Sequence, residues 1–211
     1  MSEGAERKQG DPTDFYEPLG KILPVAEHVQ GLFLYRARSG VLQILKDSGA
    51  HTVLDVCCGS GCLACRLSLA GFEVTGVDSS PTMLNRAKAK RRGAHFKLCD
   101  AAVVSLALHE MDATKRESVW GRMRRVVKPG GKLVALDFTV PKGLKWSTRL
   151  VGRFLDRDER QIGRINPAHY ENYRKFMRAG GLEEWLDARE PAPVAARYYA
   201  GGNLGLFAIA A

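Results

Sequence analysis

The chain has 211 residues, 45% of them hydrophobic, and its 32 Lys and Arg against 23 Asp and Glu give a formal net charge of +9. This length suits one α/β domain and is too short for two. No stretch reaches the roughly 18 apolar residues of a membrane span, and residues 1–12 lack a signal-peptide pattern, so we expect a soluble cytoplasmic protein. The positive charge favours acidic partners only as a long-range bias.

The predicted elements change character at Thr52. Before it, residues 14–19 and 27–45 carry apolar side chains at helical spacing. After it, short β-rich runs alternate with helix-like segments, which predicts a parallel sheet covered by helices on both faces. The predicted strands are residues 53–56, 73–77, 95–98, 103–106 and 132–136. At the end of the chain, residues 196–199, a Gly-Gly pair and residues 204–209 predict an antiparallel hairpin.

The first strand runs into a glycine-rich turn, Val53-Leu-Asp-Val-Cys-Cys-Gly-Ser-Gly61. Glycines let the backbone approach a ligand, and the following helix start offers N–H donors. Read alone, this turn also satisfies a dinucleotide-binding pattern, with Gly59, Gly61 and Ala64 in the turn and Asp78 as the later acidic residue. Asp55 argues against it, because a carboxylate at the turn would repel a pyrophosphate but would hold an ammonium group. A cationic amino-acid ligand fits better.

Four segments in order, VLDVCCGSG, GVDSSPTML, LCDAA and VVKPGGKLVALDF, resemble the successive motifs of class I S-adenosylmethionine-dependent methyltransferases. The resemblance implies a doubly wound α/β fold with a mostly parallel seven-stranded sheet, an antiparallel C-terminal hairpin and N-terminal helices over the cofactor site. It implies S-adenosyl-L-methionine as the cofactor. We expect residues 1–211 to form one domain, with an N-terminal helical cap (1–50), a cofactor-binding core (51–211) and a cover insertion at about 142–178.

The resemblance also assigns cofactor contacts. Asp55, Cys57, Gly59 and Gly61 would surround the methionine end, and Asp78 would accept hydrogen bonds from both ribose hydroxyls. Ser79 and Met83 would flank the adenine, with Asp100 and Ala101 at its amino edge. The alternative for Asp78 is a helix N-cap, because Ser79, Ser80 and Pro81 follow it.

Catalytic candidates follow the strand at residues 103–106. A sulfonium methyl group needs mainly an in-line nucleophile, and a base is needed only if the acceptor must lose a proton. His109, with an ordinary pKa of about 6.5, and Glu110 are the predicted catalytic pair; the alternative is that both are solvent-exposed loop residues. Tyr16, Tyr35 and Tyr199 are substrate-facing candidates, and core packing is the alternative for them.

Four cysteines stand close together, at positions 57, 58, 62 and 65, and they include a Cys-x-x-Cys spacing. A metal or redox site is one interpretation. We favour packing, because these residues overlie the cofactor turn, where a metal cluster would displace the cofactor. No metal site is therefore predicted.

Only two residues separate Asp100, just beyond the predicted third strand, from Val103, at the start of the predicted fourth strand. In the expected order the third strand lies at a sheet edge and the fourth lies beyond the first. Two residues span at most about 7 Å and cannot join strands placed in this way. Connections between parallel strands take about a dozen residues or more. We hypothesise that some 10 to 15 residues (about the length of such a crossover) are missing here. An intact mass matching 23.2 kDa would contradict this.

Residues 105–111 and 136–141 are most similar to the ubiquinone/menaquinone biosynthesis C-methyltransferase family, although His109-Glu110 replace an Arg-Asn pair of that family. This implies a small-molecule acceptor, with a quinol or phenol-type ring as the specific expectation. The alternatives are a phospholipid headgroup N-methyltransferase, with Trp146, Arg149 and Arg153 as a basic cover, and a non-catalytic cofactor-binding module. We do not expect nucleic acid as a partner; peripheral membrane contact and a monomer or homodimer remain open.

Overall fold

The structure is a computed structural model, and it describes residues 34–88, 98–143 and 146–211. These ranges contain seven α-helices and six strands, and the last two strands form a C-terminal hairpin. They are α1 (Tyr35–Asp47), β1 (Thr52–Val56), α2 (Cys62–Leu69), β2 (Glu73–Val77), α3 (Pro81–Lys88), β3 (Cys99–Ser105), α4 (Ala113–Val126), β4 (Val127–Phe138), α5 (Trp146–Gly163), α6 (Pro167–Arg178), α7 (Gly181–Asp187), β5 (Ala195–Tyr199) and β6 (Leu204–Ala210). Short 3-10 turns cover Leu108–Glu110 and Ala200–Gly202.

The six strands form one sheet in the order β2-β1-β3-β4-β6-β5. The first four strands are parallel, and β6 runs antiparallel to both β4 and β5. The predicted α/β class, the mostly parallel sheet and the C-terminal hairpin are confirmed. The predicted number of strands is not, because the described residues contain six strands rather than seven.

Helices cover both faces of the sheet, and alternate residues of each strand face opposite sides. On one face, Val53 and Val103 pack with residues of α1 and α2, such as Val41 and Leu67. On the other face, strand residues pack with α4, α6 and α7. This two-sided burial is the doubly wound arrangement, and it explains why the central strands read as continuous apolar runs.

The predicted break between a third and a fourth strand is wrong for the described residues. Cys99–Ser105 form one strand beside β1, with Ala101 opposite Val53. Residues 101 to 104 are almost wholly buried, so the run fits a central strand without interruption. Residues 95–97 lie outside the described ranges. The described chain therefore needs no crossover at this point, and the hypothesis of missing residues stays a prediction.

Two helices occupy most of the region expected to be a cover insertion. Helix α5 is followed after three residues by α6, which begins at Pro167 with Asn166 as its N-cap, and Asn166 accepts a hydrogen bond from the His169 backbone. Pro at the first helical position is compatible with a helix start, because its missing N–H would have no helical partner there. Among the described residues, no helix combines the length and apolarity needed to cross a bilayer. The predicted helix at residues 14–19 lies outside the described ranges.

Candidate functional site

The turn after β1 bends through backbone conformations that favour glycine. Gly59 and Gly61 have φ angles of +55° and +75°, and Cys57 shares this left-handed region at +58°. A Cβ on Gly61 would lie 3.2 Å from the Ala87 methyl group, so space also favours glycine there. Gly61 is the N-cap of α2 and has no side chain to bind the first N–H groups. The turn thus offers backbone donors at the carboxyl edge of the sheet.

Asp55 lies beneath this turn and is only 1% exposed. Its Oδ2 atom is buried without a hydrogen-bond partner among the described residues. Burial raises the pKa of Asp55 to about 7, although the Ala64 backbone N–H and Arg38 oppose the shift. The charge of Asp78 raises this pKa further. A cation beside Oδ2 would stabilise the ionised carboxylate and satisfy its missing interaction.

Asp78 follows β2 and joins that strand to the glycine turn. Its Oδ2 accepts a hydrogen bond from the Gly59 backbone N–H at 2.8 Å, and its Oδ1 accepts one from Ser80 at 2.9 Å. The Ser80 hydroxyl oxygen, in turn, accepts a hydrogen bond from the Met83 backbone at 3.1 Å. Ser80 is therefore the residue that caps the start of α3. Each Asp78 oxygen accepts only one of these bonds and has capacity for another donor.

The other predicted cofactor residues near the turn differ in exposure. Ser79 is exposed, whereas Met83 is buried at the start of α3. Cys57 packs against the core on the α4 face. Burial, with the charges of Asp78 and Glu110 adding to it, raises the pKa of the Cys57 thiol to about 12. None of the five cysteines, all within the described ranges, is in a disulfide.

The predicted adenine contacts at Asp100 and Ala101 are wrong for this structure. The Asp100 Oδ2 atom accepts hydrogen bonds from the His51 and Thr52 backbones at 2.9 and 2.8 Å, and Oδ1 binds the Lys128 ammonium at 2.6 Å. These partners lie at the amino end of β1, opposite the glycine turn, because parallel neighbours begin at the same edge. Ala101 is fully buried in the sheet. The uninterrupted strand β3 is the physical reason for both differences.

A second group of polar side chains lies at the carboxyl edge, on the α6 face of the sheet. We call it the His–carboxylate cluster, and it contains His109, Glu110, Asp137, Glu159 and His169. The His109 Nδ1 atom lies 2.6 Å from Asp137 Oδ1. The Asp137 Oδ2 atom accepts hydrogen bonds from the backbones of Leu108 and His109 at 2.9 and 3.3 Å. Asp137, which is 0% exposed, thereby fixes both the 3-10 turn and the orientation of the imidazole ring.

The two cover helices contribute the rest of the cluster. Glu159 of α5 and His169 of α6 are 6% and 4% exposed, and the Glu159 Oε2 atom lies 2.6 Å from His169 Nε2. The same carboxylate oxygen is 3.7 Å from His109 Nε2. Glu110 faces both rings, at 4.0 Å from His109 Nε2 and 3.9 Å from His169 Nδ1. Its side chain is 31% exposed and forms the open side of the cluster.

The carboxylates change the ionisation of His109. Burial alone would lower its pKa, but Asp137, Glu159 and Glu110 together raise that pKa to about 9. Burial raises the pKa of Glu110, opposed by the two histidines. His109 thus differs from the sequence-based expectation of a base near pH 6.5, and it is a buried group rather than a solvent-exposed loop residue.

The predicted tyrosines do not join this cluster. Tyr35 is 58% exposed on α1, with the Arg66 guanidinium 4.3 Å from its ring centre. The Tyr199 hydroxyl packs so closely on α1 that a Cβ on Gly40 would lie 1.9 Å from it. Tyr16 lies outside the described residues. The aromatic rings beside His109 are instead Phe138 and Tyr173, with ring centres 4.7 and 6.0 Å away.

Sequence reasoning missed Asp137, Glu159, His169 and Tyr173. Asp137 had a signal, since it directly follows the buried run at the end of β4. Glu159 lies among several charged residues of α5, and nothing in their spacing distinguishes the buried one.

Cys57 connects the glycine turn to the His–carboxylate cluster. The charges of Asp78 and Glu110 both act on its thiol, so it lies near both groups. Since β1 and β3 are parallel neighbours, their carboxyl ends meet at one edge of the sheet. A ligand on the glycine turn and a second molecule at the cluster would therefore be adjacent.

Comparisons with known proteins give a consistent result. Residues 53–131 match a family model described as a methyltransferase domain. An uncharacterized methyltransferase of Synechocystis is 31% identical, over 70% of this chain and 80% of that protein. A ubiquinone/menaquinone biosynthesis C-methyltransferase of Desulfotalea psychrophila is 28% identical, over 68% of this chain and 66% of that protein. The fold is similar to that of a plantazolicin methyltransferase solved with S-adenosylhomocysteine, with a TM-score of 0.60 and 13% identity over 92% of this chain and 90% of that one.

Proposed function

The chain belongs to the S-adenosylmethionine-dependent methyltransferases, and from this premise we propose that it methylates a small molecule carrying a quinol or phenol-type ring. The ring is suggested by the name of the Desulfotalea relative, which acts in ubiquinone and menaquinone biosynthesis. The observation that carries the proposal is that the glycine turn and the His–carboxylate cluster lie at the carboxyl edge of neighbouring parallel strands. This arrangement provides a side for the methyl donor and a side for the acceptor at one edge of the sheet.

On the donor side, S-adenosylmethionine supplies an electrophilic methyl group. The residues around the turn fit this cofactor, because the buried and unpartnered Oδ2 atom of Asp55 matches its cationic amino-acid end. Gly59 and Gly61 leave room for the ligand at the turn, since a Cβ on Gly59 would meet nothing within 4 Å. Asp78 has the remaining acceptor capacity for the two ribose hydroxyls, and Ser79 and Met83 are proposed to border the adenine.

On the acceptor side, His109 and Glu110 are proposed to hold the hydroxyl group of the ring. Asp137 fixes the His109 ring through Nδ1, which leaves Nε2 directed towards Glu110 and Glu159. Phe138 and Tyr173 provide aromatic surfaces beside His109 for a flat acceptor. The exposed side of Glu110 provides the entrance. These residues orient the acceptor, and orientation is the main requirement for an in-line methyl transfer.

The donor side is tested by titrating S-adenosylmethionine, S-adenosylhomocysteine and NAD into the wild type and Asp78→Ala. We expect only the first two to bind, with about ten- to hundred-fold weaker binding in Asp78→Ala, because hydrogen bonds to a charged group contribute about 1.5–3 kcal/mol. Asp100→Asn is the matched control: it removes a carboxylate at the opposite edge and should leave the affinity unchanged. Binding of NAD, or equal effects of the two variants, would contradict the proposal.

The acceptor side is tested with a panel of quinols, phenols and phospholipids and radiolabelled S-adenosylmethionine. His109→Asn and Glu110→Gln should lower kcat about 100-fold, the usual scale for a positioned polar group, while the affinity for S-adenosylmethionine stays the same. Cofactor binding without turnover on the whole panel would favour the alternative of a non-catalytic module.

An exposed face of α5 favours a second candidate function, in which the acceptor is bound to a membrane. Trp146, Leu150 and Phe154 recur every four residues and are 75%, 51% and 59% exposed. A groove next to this stripe is lined by arginines, including Arg149, Arg153 and Arg157. Apolar side chains bordered by cations suit an anionic lipid surface. Membrane contact of this kind is compatible with a phospholipid or a quinone acceptor, and the cytoplasmic location stays a prediction.

A further inference from the structure

The two histidines of the His–carboxylate cluster have the same arrangement. In each ring one nitrogen is within 2.6 Å of a buried carboxylate: Nδ1 of His109 with Asp137, and Nε2 of His169 with Glu159. The other nitrogen of each ring faces Glu110, at 4.0 and 3.9 Å. A ring held by a carboxylate through one nitrogen, with the other directed at a shared point, is the arrangement of metal-binding histidines.

The distances are compatible with a bound ion. One ligand atom from each of His109, Glu110 and His169 lies within 4.8 Å of the other two. Zinc–nitrogen and zinc–oxygen bonds of about 2.0–2.2 Å put tetrahedral ligand atoms about 3.3–3.5 Å apart. The three groups, whose ligand atoms lie up to 4.8 Å apart, therefore need to approach one another by at most about 1.5 Å. Two histidines and one carboxylate are a ligand set that both zinc and non-haem iron use.

We propose that His109, Glu110 and His169 bind a divalent transition-metal ion, with zinc as the best match, and that Asp137 and Glu159 orient the two histidines. Three protein ligands leave one position of a tetrahedral ion unfilled, as in catalytic zinc sites. Glu110 is the partly exposed ligand, so a bound ion would be reached from that side of the cluster. This inference departs from the sequence analysis, which predicted no metal site because it considered only the cysteines.

One part of the inference rests on the proposed function. If the acceptor is a phenol or quinol, its hydroxyl oxygen would take the open position, and the ion would lower the pKa of that hydroxyl as a Lewis acid. The ion would then favour the ionised acceptor, which is the better nucleophile. Metal binding itself depends only on the cluster and is measured without cofactor or acceptor.

The experiment is a Zn²⁺ titration of the full chain after chelator treatment, read by calorimetry. We expect one ion per chain. Binding should be at least about ten-fold weaker in the ligand variants Glu110→Gln and His169→Gln. In Glu159→Gln it should be about 10- to 100-fold weaker, the range typical of residues that orient a metal ligand. Glu110→Gln alters a partly exposed residue and should fold, which circular dichroism checks. His51→Ala is the matched control, since it removes an exposed histidine distant from the cluster.

The cysteines near the glycine turn are the alternative binding site for Zn²⁺. The double variant Cys62→Ser/Cys65→Ser should bind Zn²⁺ like the wild type. With Co²⁺ as a spectroscopic probe, the wild type should lack the strong thiolate absorption band. The absence of stoichiometric binding, or binding that follows the cysteines, would overturn the inference. Either result would leave S-adenosylmethionine binding and methyl transfer intact, so the two proposals fail separately.

Discussion

Asp55 makes the stability of the protein depend on pH. Its pKa is raised from the ordinary 3.8 to about 7 in the folded state, so the folded state holds a proton that the unfolded state has lost in this range. Unfolding then becomes easier as pH rises from 3.8 towards 7, at about 1.4 kcal/mol per pH unit for this one group. Arg38 and Asp78 are the charged residues that act on it.

We therefore expect Asp55→Asn to be more stable than the wild type by up to about 4 kcal/mol at pH 8. At pH 5, which is closer to the ordinary pKa of 3.8, the expected difference falls to about 1.6 kcal/mol. Thermal melts of both proteins at the two pH values test this expectation. The same variant should bind S-adenosylmethionine more weakly, because it lacks the charge that offsets the ammonium group. Equal differences in Tm at both pH values would show that Asp55 is ionised throughout.

The residues that sequence alone could predict belong to one continuous segment. Asp55, Gly59 and Gly61 lie within seven positions, and Asp78 follows the next strand, so local motifs locate them. The cluster residues could not be found in this way, because Glu159 and His169 meet His109 only after α5 and α6 pack at the sheet edge. The prediction for Asp100 failed for a different reason. Its local motif matched, but Asp100 lies near the start of β3 rather than at the end of a strand.

At the scale of single elements, α5 carries exposed apolar side chains that a partner surface could cover, among them Trp146 and Phe154. If its face binds anionic membranes, the protein should sediment with phosphatidylglycerol vesicles and not with phosphatidylcholine vesicles, and added salt should weaken the binding. Trp146→Ala with Phe154→Ala should reduce this binding, since both side chains are largely exposed. Leu69→Ala is the control, because Leu69 is an exposed apolar residue on α2. Equal binding to both kinds of vesicle would contradict the role of charge.

Strand β3 shows how far element prediction reaches. Alternation of β-rich and helical segments predicted the sheet, both helical layers and the terminal hairpin. Seven strands are not confirmed among the described residues, which form six. The predicted boundary within β3 is absent there, since Ala101, Ala102, Val103 and Val104 are buried and apolar and mark no boundary. The strand ends only at Ser105, before Leu106 enters a left-handed conformation at φ +53°.

At the scale of the whole molecule, the site is divided between the two sides of the sheet. Asp55 lies on the side of α1 and α2, near Arg38 and Ala64. Asp137 and the rest of the His–carboxylate cluster lie on the side of α6. The two sides meet at the carboxyl edge, where the charges of Asp78 and Glu110 both act on Cys57.

This division has an evolutionary consequence. The segment that supplies Glu159 and His169, residues 146–178, contributes none of the residues assigned to the methyl donor. Recombination or drift in that segment can therefore change the molecule that is methylated while selection preserves the donor pocket unaltered. A chimera that carries this segment from a relative should bind S-adenosylmethionine as the parent does and differ in the acceptors it accepts. New substrate ranges could arise in such proteins by exchanging two helices, without rebuilding the enzyme around its cofactor.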